Sequence, residues 1–236
     1  MAEILCDGKT TREINAAIKK LIAEGQTEIV VRNPGARHNL AVAITQPAHI
    51  TFDGSVGYYC GGMIDGPTVE VRGSVGWGAG ESMMNGTLIV HGAAGNGVGA
   101  SIRGGTVVVD DDAAARAGVS MKGGLVLIGG DCGYMAGFMA QKGTLIVCGD
   151  AGESFADSMY EAVCYVGGRI AELGNDAVIK ELTEADTSFL ASTLSRYLGT
   201  KIRNPQSEAG RFKKVVAGRK LWNFDKREWK TWREAL

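Results

Sequence analysis

Six apolar tetrapeptides, Thr68-Val-Glu-Val71, Thr87-Leu-Ile-Val90, Thr106-Val-Val-Val109, Leu125-Val-Leu-Ile128, Thr144-Leu-Ile-Val147 and Val163-Cys-Tyr-Val166, begin 19 residues apart, and His49-Ile-Thr-Phe52 fits the same register one step earlier. A unit of this length cannot bury an apolar face alone, so the copies must stack, each strand pairing in parallel with its counterpart at about 4.7 Å. Alternate residues of each tetrapeptide then point inward. They give one ladder of Val69, Leu88, Val107, Val126, Leu145 and Cys164, and a second of Val71, Val90, Val109, Ile128, Val147 and Val166. The reading is a mainly β parallel β-helix of seven coils. A left-handed helix of six-residue repeats is excluded, because 19 is not a multiple of six.

Behind each strand the spacing G-x-x-G-x-x-x-G returns: Gly54/Gly57/Gly61, Gly73/Gly76/Gly80, Gly92/Gly95/Gly99 and Gly130/Gly133/Gly137. Gly149/Gly152/Ala156 and Asp111/Ala114/Gly118 keep it in part. These glycines are predicted to be coil corners, where positive φ or close backbone approach rejects a Cβ. A second apolar position recurs as Ile64, Met83, Ile102, Met121, Ala140 and Met159, and turn glycines follow at Gly86, Gly105, Gly124 and Gly143, so two or three short strands are expected per repeat.

The flanks differ in kind. In residues 1–47, Thr10 and Glu13 form a capping-box spacing, Ile14, Ile18, Leu21 and Ile22 make a helical stripe that Gly25 stops, and Glu28-Ile-Val-Val-Arg32 reads as a strand. Residues 48–174 hold the repeat. In 175–236, Thr183 and Asp186 open a second predicted helix carrying Phe189, Leu190, Leu194 and Leu198, and a basic, aromatic tail follows. Both helices are expected to cap the ends of the stack.

Composition narrows the chemistry. With 25 basic and 26 acidic residues there is no global attraction to nucleic acid or to an anionic membrane, and no apolar run approaches the length of a span. The five cysteines Cys6, Cys60, Cys132, Cys148 and Cys164 include no C-x-x-C pair, and no signal region opens the chain, so a reduced, cytoplasmic protein is expected. Gly76-Trp-Gly-Ala-Gly80 and Gly95-Asn-Gly-Val-Gly99 look like fragments of phosphate loops, but neither is followed by G-K-[ST] or sits between a strand and a long helix. His38, His49 and His91 lack ligand spacing, so no metal site is expected. Cys60 and Cys132 are the candidates for a reactive thiol, against the reading of free cysteine as a small hydrophobe. Asp131 and Asp150 are the carboxylates on which a carbohydrate-active solenoid would have to rely, with the cluster Asp110-Asp-Asp112 beside them. The last 37 residues hold 11 basic and 4 acidic side chains together with Trp222, Phe224, Trp229 and Trp232. Such a tail suits RNA or a protein contact; aromatic anchors ringed by charge favour protein, with Arg219, Leu221, Trp222 and Phe224 as docking candidates.

Taken together, these motifs resemble the C-terminal β-helix (GXGXG) domain of the glutamate synthase large subunit and the related C subunit of formylmethanofuran dehydrogenase. The resemblance is nearest to free-standing versions of the domain, such as the B subunit of N-methylglutamate synthase (methylamine-glutamate N-methyltransferase). It is carried by Thr10-Thr-Arg-Glu-Ile-Asn15, Gly54-Ser-Val-Gly-Tyr-Tyr-Cys-Gly-Gly-Met63, Asp157-Ser-Met-Tyr-Glu-Ala162 and Arg219-Lys-Leu-Trp-Asn-Phe224, and it covers nearly the whole chain. The resemblance implies a single-stranded right-handed parallel β-helix with no catalytic, cofactor-binding or metal-binding residues of its own. Its partners would be a glutamine amidotransferase-like subunit and an FMN-binding glutamate synthase-like subunit carrying iron–sulfur clusters. The assembly would be a hetero-oligomer without nucleic acid or membrane, acting in glutamate or methylamine metabolism. The start Met1-Ala-Glu3 offers no N-terminal nucleophilic cysteine unless processing reaches Cys6.

Overall fold

The computed structural model describes residues 2–199 and 204–219. In chain order the elements are β1 (Ala2–Leu5), α1 (Thr11–Ala23), β2 (Glu28–Arg32), β3 (His49–Asp53), β4 (Thr68–Val71), β5 (Thr87–Val90), β6 (Thr106–Val109), β7 (Lys122–Ile128), β8 (Lys142–Val147), β9 (Val163–Val166), β10 (Ala177–Lys180), α2 (Glu184–Leu198), α3 (Pro205–Ala209) and β11 (Lys213–Ala217). They build a β-solenoid of about seven turns. Strands β1 to β9 pair in parallel in sequence order, and β11 and then β10 extend the sheet antiparallel beyond β9. From β3 to β9 the partners keep the 19-residue register, as in Val69↔Leu88, Leu88↔Val107 and Leu145↔Cys164.

Both inward ladders read from the sequence are fully buried, as are Ile64, Met83, Ile102, Met121, Ala140 and Met159. Each buried aliphatic side chain contributes roughly 1.5–3 kcal/mol. The late apolar position is not a strand, however. Besides its one strand, each coil contributes a single bridge residue to the column Val56, Val75, Ala94, Ala113, Cys132, Ala151 and Ile170. The rest is a run of turns in which every second residue has positive φ: Tyr59, Gly61 and Met63; Gly78, Gly80 and Ser82; Gly97, Gly99 and Ser101, and so on through Ser154, Ala156 and Ser158. The alternation sends backbone N–H groups in opposite directions along the stack. Tyr59 N donates to Trp77 O on one side, Gly61 N to Leu40 O on the other, and Met63 N to Glu81 O again on the first. Those inter-coil bonds offset the left-handed strain at non-glycine residues.

The corner glycines divide by cause. Gly61, Gly80, Gly99 and Gly137 have φ between +65° and +74°, whereas Gly57, Gly76 and Gly95 sit where a ring of the preceding coil lies flat. A Cβ at Gly76 would be 2.4 Å from the Tyr58 ring, and one at Gly95 would be 2.7 Å from the Trp77 ring. His38, Tyr58 and Trp77 stack there with centroids 4.4 and 5.3 Å apart.

The helices are where the spacing places them, but only one lies at an end. The capping box of Thr10 and Glu13 starts α1, which buries Ile14 and Ile18 against the core beside the first strands. The second box, Thr183 with Asp186, starts α2. Contrary to expectation, α2 does not cap the stack; Leu190, Ala191, Leu194 and Leu198 lie across the outer face of the sheet on Val108, Leu127, Ile146 and Tyr165. The reason is the outward column Thr51, Glu70, Ile89, Val108, Leu127, Ile146, Tyr165, which turns apolar along the stack and must be covered. The far edge is closed instead by the antiparallel pair β10 and β11.

Candidate functional site

The carboxylates singled out for carbohydrate chemistry are spent on the backbone. Asp112 Oδ1 accepts from Asp131 N at 2.8 Å, Asp131 Oδ1 from Asp150 N at 2.7 Å, and Asp150 Oδ1 from Arg169 N at 2.7 Å, each bond crossing one coil. Ser55 and Ser74 play the same part earlier in that column. Each corner side chain thus satisfies an amide that the turn leaves without a backbone partner. The acidic ladder has a structural cause.

The cysteines do not converge. Cys6, Cys60, Cys132 and Cys164 are buried, and burial pushes the Cys60, Cys132 and Cys148 thiols up to about 12, away from the thiolate that reactivity needs. Among the described residues no three His, Cys, Asp or Glu side chains group in a way that could hold a metal ion. An iron–sulfur cluster needs about four converging thiolates. This chain's cysteines do not fit one.

A cluster that the sequence did not reveal runs along the open sheet face from β1 to the residue after β6. His49 places Nδ1 3.3 Å from Glu28 and Nε2 3.1 Å from Glu70; His91 places Nε2 3.0 Å from Glu70 and Nδ1 2.7 Å from Asp110. Arg72 stands between Glu70 and Asp53, and Arg32 bonds Asp53 and Glu3. The signal was in the register: Arg32, Asp53, Arg72, His91 and Asp110 follow one another in a single column that mixes basic and acidic side chains. Burial works to lower the pKa of His91, but its bonds to Asp110 and Glu70 outweigh that and hold it above the ordinary 6.5. Burial likewise opposes ionisation of Glu70, yet bonds from His91 and His49 bring it below the ordinary 4.5. The raised His91 pKa stabilises the fold fully below 6.5, and this is lost as pH rises through the folded value; the lowered Glu70 pKa stabilises above 4.5 and fails as pH falls. Chemical denaturation of the wild type and of His91→Gln is therefore expected to differ most between pH 4.5 and 6.5, with the gap closing above that window. A gap that widens with rising pH would show that the imidazolium is not what the column holds.

The described residues line several open depressions on the surface. One, lined by Tyr160, Val163, Lys180, Val216 and Arg219 among others, lies between the last coil and the β10/β11 pair. Of the docking candidates, Arg219 follows β11 at its rim, and Leu221, Trp222 and Phe224 lie outside the described residues.

Fold and site together define a parallel β-solenoid whose ionisable residues hold coil to coil. No protein-family model matches the chain. It is 48% identical over 216 residues to Protein GlxC of Rhizobium meliloti (strain 1021), covering 91% of this chain and 92% of that protein. The chain belongs to the GlxC family.

Proposed function

We propose that this chain is a noncatalytic scaffold subunit of a multisubunit glutamate-synthase-like enzyme. It would hold a glutamine amidotransferase-like subunit and an FMN- and iron–sulfur-containing synthase-like subunit in register. The finer reading is N-methylglutamate synthase, joining methylamine and glutamate; the close variants are an ammonia- or glutamine-dependent glutamate synthase and an assembly of the formylmethanofuran dehydrogenase type. The observation that supports it is the 19-residue register kept from β3 to β9 with one bulge in β7, in which each coil is bonded to the next by its strand and by its turn backbone. A stiff support has value where separate active sites must stay aligned, since about 1 Å of misplacement costs on the order of a hundredfold in rate. The glycine motifs and segments that resemble the glutamate synthase domain supply the enzyme class.

The use of Asp131 and Asp150 as backbone acceptors weighs against a stand-alone carbohydrate enzyme. The test is a native pull-down through a tag on this chain, with the recovered proteins identified and the eluate scanned for flavin absorbance. An amidotransferase-like and a flavin-bearing subunit are expected together. A lone chain without flavin would refute the reading.

A further inference from the structure

The large exposed apolar side chains are not scattered. Tyr58, Tyr59, Met63, Trp77 and Met84 all lie on the turn face of the first two coils, and Trp77 is 53% and Met63 52% exposed. Tyr134, Met139 and Tyr160 lie on the same face of the fifth and sixth coils. Only Leu5, Ile179 and Phe189 of this exposed group are elsewhere. The backbone bonds tie these columns coil to coil: Tyr59 N to Trp77 O, Met63 N to Glu81 O and Met84 N to Ile64 O join the first two coils, and Tyr160 N to Ala140 O joins the sixth to the fifth. Between the two apolar ends, Arg103, Arg116 and Lys122 project from the middle coils, and none makes an ion pair among the described residues. Lys142 pairs in register with Lys122 one coil on, so like charges sit side by side. Nothing in the solenoid's packing asks for this arrangement; the core is already filled by the inward ladders.

We infer that the turn face is the docking surface for one partner subunit, a protein presenting two apolar patches roughly 20 Å apart, about four coil spacings, with an acidic strip between them. Aromatic and Met side chains around Arg make up the composition of interface cores, and unneutralised basic residues select an acidic counterpart. A depression of about 160 Å³ lined by Tyr59, Met63, Val42 and Ser82 offers one anchor pocket at the first coil. Nucleic acid fits less well, because the ring faces of His38, Tyr58 and Trp77 are already stacked on one another and leave edges rather than platforms for bases. The inference rests on the scaffold reading and specifies where that scaffold is gripped.

The experiment uses the full chain with the co-expressed amidotransferase-like and flavin subunits. Met84→Asp with Met139→Asp removes both apolar anchors, Arg103→Glu with Lys122→Glu reverses the basic middle, and Lys19→Glu, exposed on α1, is the control. Each double variant should lose about tenfold or more in affinity for one subunit while melting like the wild type and the control. Rising salt should weaken the wild-type complex and strengthen the residual binding of Arg103→Glu/Lys122→Glu, whose acidic side chains repel the acidic counterpart. Undiminished binding by both folded double variants overturns the docking face. So does dimerisation of the wild-type chain through these residues, or capture of a short single-stranded RNA that depends on Arg103 and Lys122. A wild-type chain that binds neither subunit overturns instead the scaffold reading on which the face rests.

Discussion

Gly95→Val is expected to cost about 3 kcal/mol of stability, the upper end of what overpacking a close-fitting site costs. The ideal Cβ would stand 2.7 Å from Trp77 Cδ1, 2.8 Å from Gly76 C and 3.0 Å from Trp77 N. Two of those three atoms are backbone of the preceding coil. That coil cannot retreat, because Gly95 N donates to Val75 O at 3.0 Å and Ala94 bridges both Val75 and Ala113. A β-branched side chain adds a second and third carbon to the same gap. Gly133→Val should cost less, since its Cβ would meet Ala115 N at 3.0 Å and Ala114 C at 3.1 Å and no ring lies over it. Gly97→Ala should cost about 1 kcal/mol, from positive φ alone, because nothing lies closer than 3.9 Å. Urea denaturation ranks the three; equal losses, or no loss at Gly95, would contradict the stacked-coil account.

The second large effect belongs to Asp186. This carboxylate, 9% exposed at its side chain, accepts from Tyr165 Oη at 2.5 Å, from Lys214 Nζ at 2.8 and 2.9 Å, and from Thr183 N and Oγ1 at 2.8 and 2.7 Å. It thereby joins the start of α2 to β9 and β11 in one network. Removing one partner from a buried pair costs about 3–5 kcal/mol; with Lys214 partly open to solvent, Asp186→Ala is expected near the lower end, at roughly 3 kcal/mol. Tyr165→Phe should cost about 1 kcal/mol, since it leaves the Lys214 pair in place. Burial opposes ionisation of Asp186, but the bonds from Lys214, Tyr165 and Thr183 hold its pKa well below the ordinary 3.8. Its stabilisation is therefore present above pH 3.8 and lost as pH falls toward the folded value, so wild type and variant should converge in acid. A difference that persists unchanged to low pH would show that helix packing, not the charge, accounts for the loss.

The 19-residue period was enough to read the coil number, the strand register and the inward ladders, because a parallel stack repeats one environment and each position reports its neighbours seven times. What the period hid was variation within a column. The outward position Thr51, Glu70, Ile89, Val108, Leu127, Ile146 and Tyr165 changes gradually from polar to apolar, and that drift alone marks where α2 lies. Read as a periodic average, α2 looks like an end cap. The left-handed residues were hidden for another reason: Tyr59, Met63, Arg116 and Met135 adopt positive φ because inter-coil hydrogen bonds require it, against their own preference. Glycine spacing reported only part of that alternation. The backbone role of the aspartate ladder was not legible in sequence, because carboxylates that cap amides and carboxylates that move protons carry the same letters. β10 and β11 escaped notice because Ala177-Val-Ile-Lys180 and Lys213-Lys-Val-Val-Ala217 lie outside the repeat and 32 residues separate them.

The central claim is that this chain brings two other subunits together. The most direct measurement is the association of the amidotransferase-like and flavin-bearing subunits, purified separately and mixed with and without this chain, followed by sedimentation and flavin absorbance. The account predicts one co-sedimenting species containing flavin only when the chain is present, with glutamine-dependent turnover restored in the same fractions. Equal association and equal turnover without the chain would contradict it.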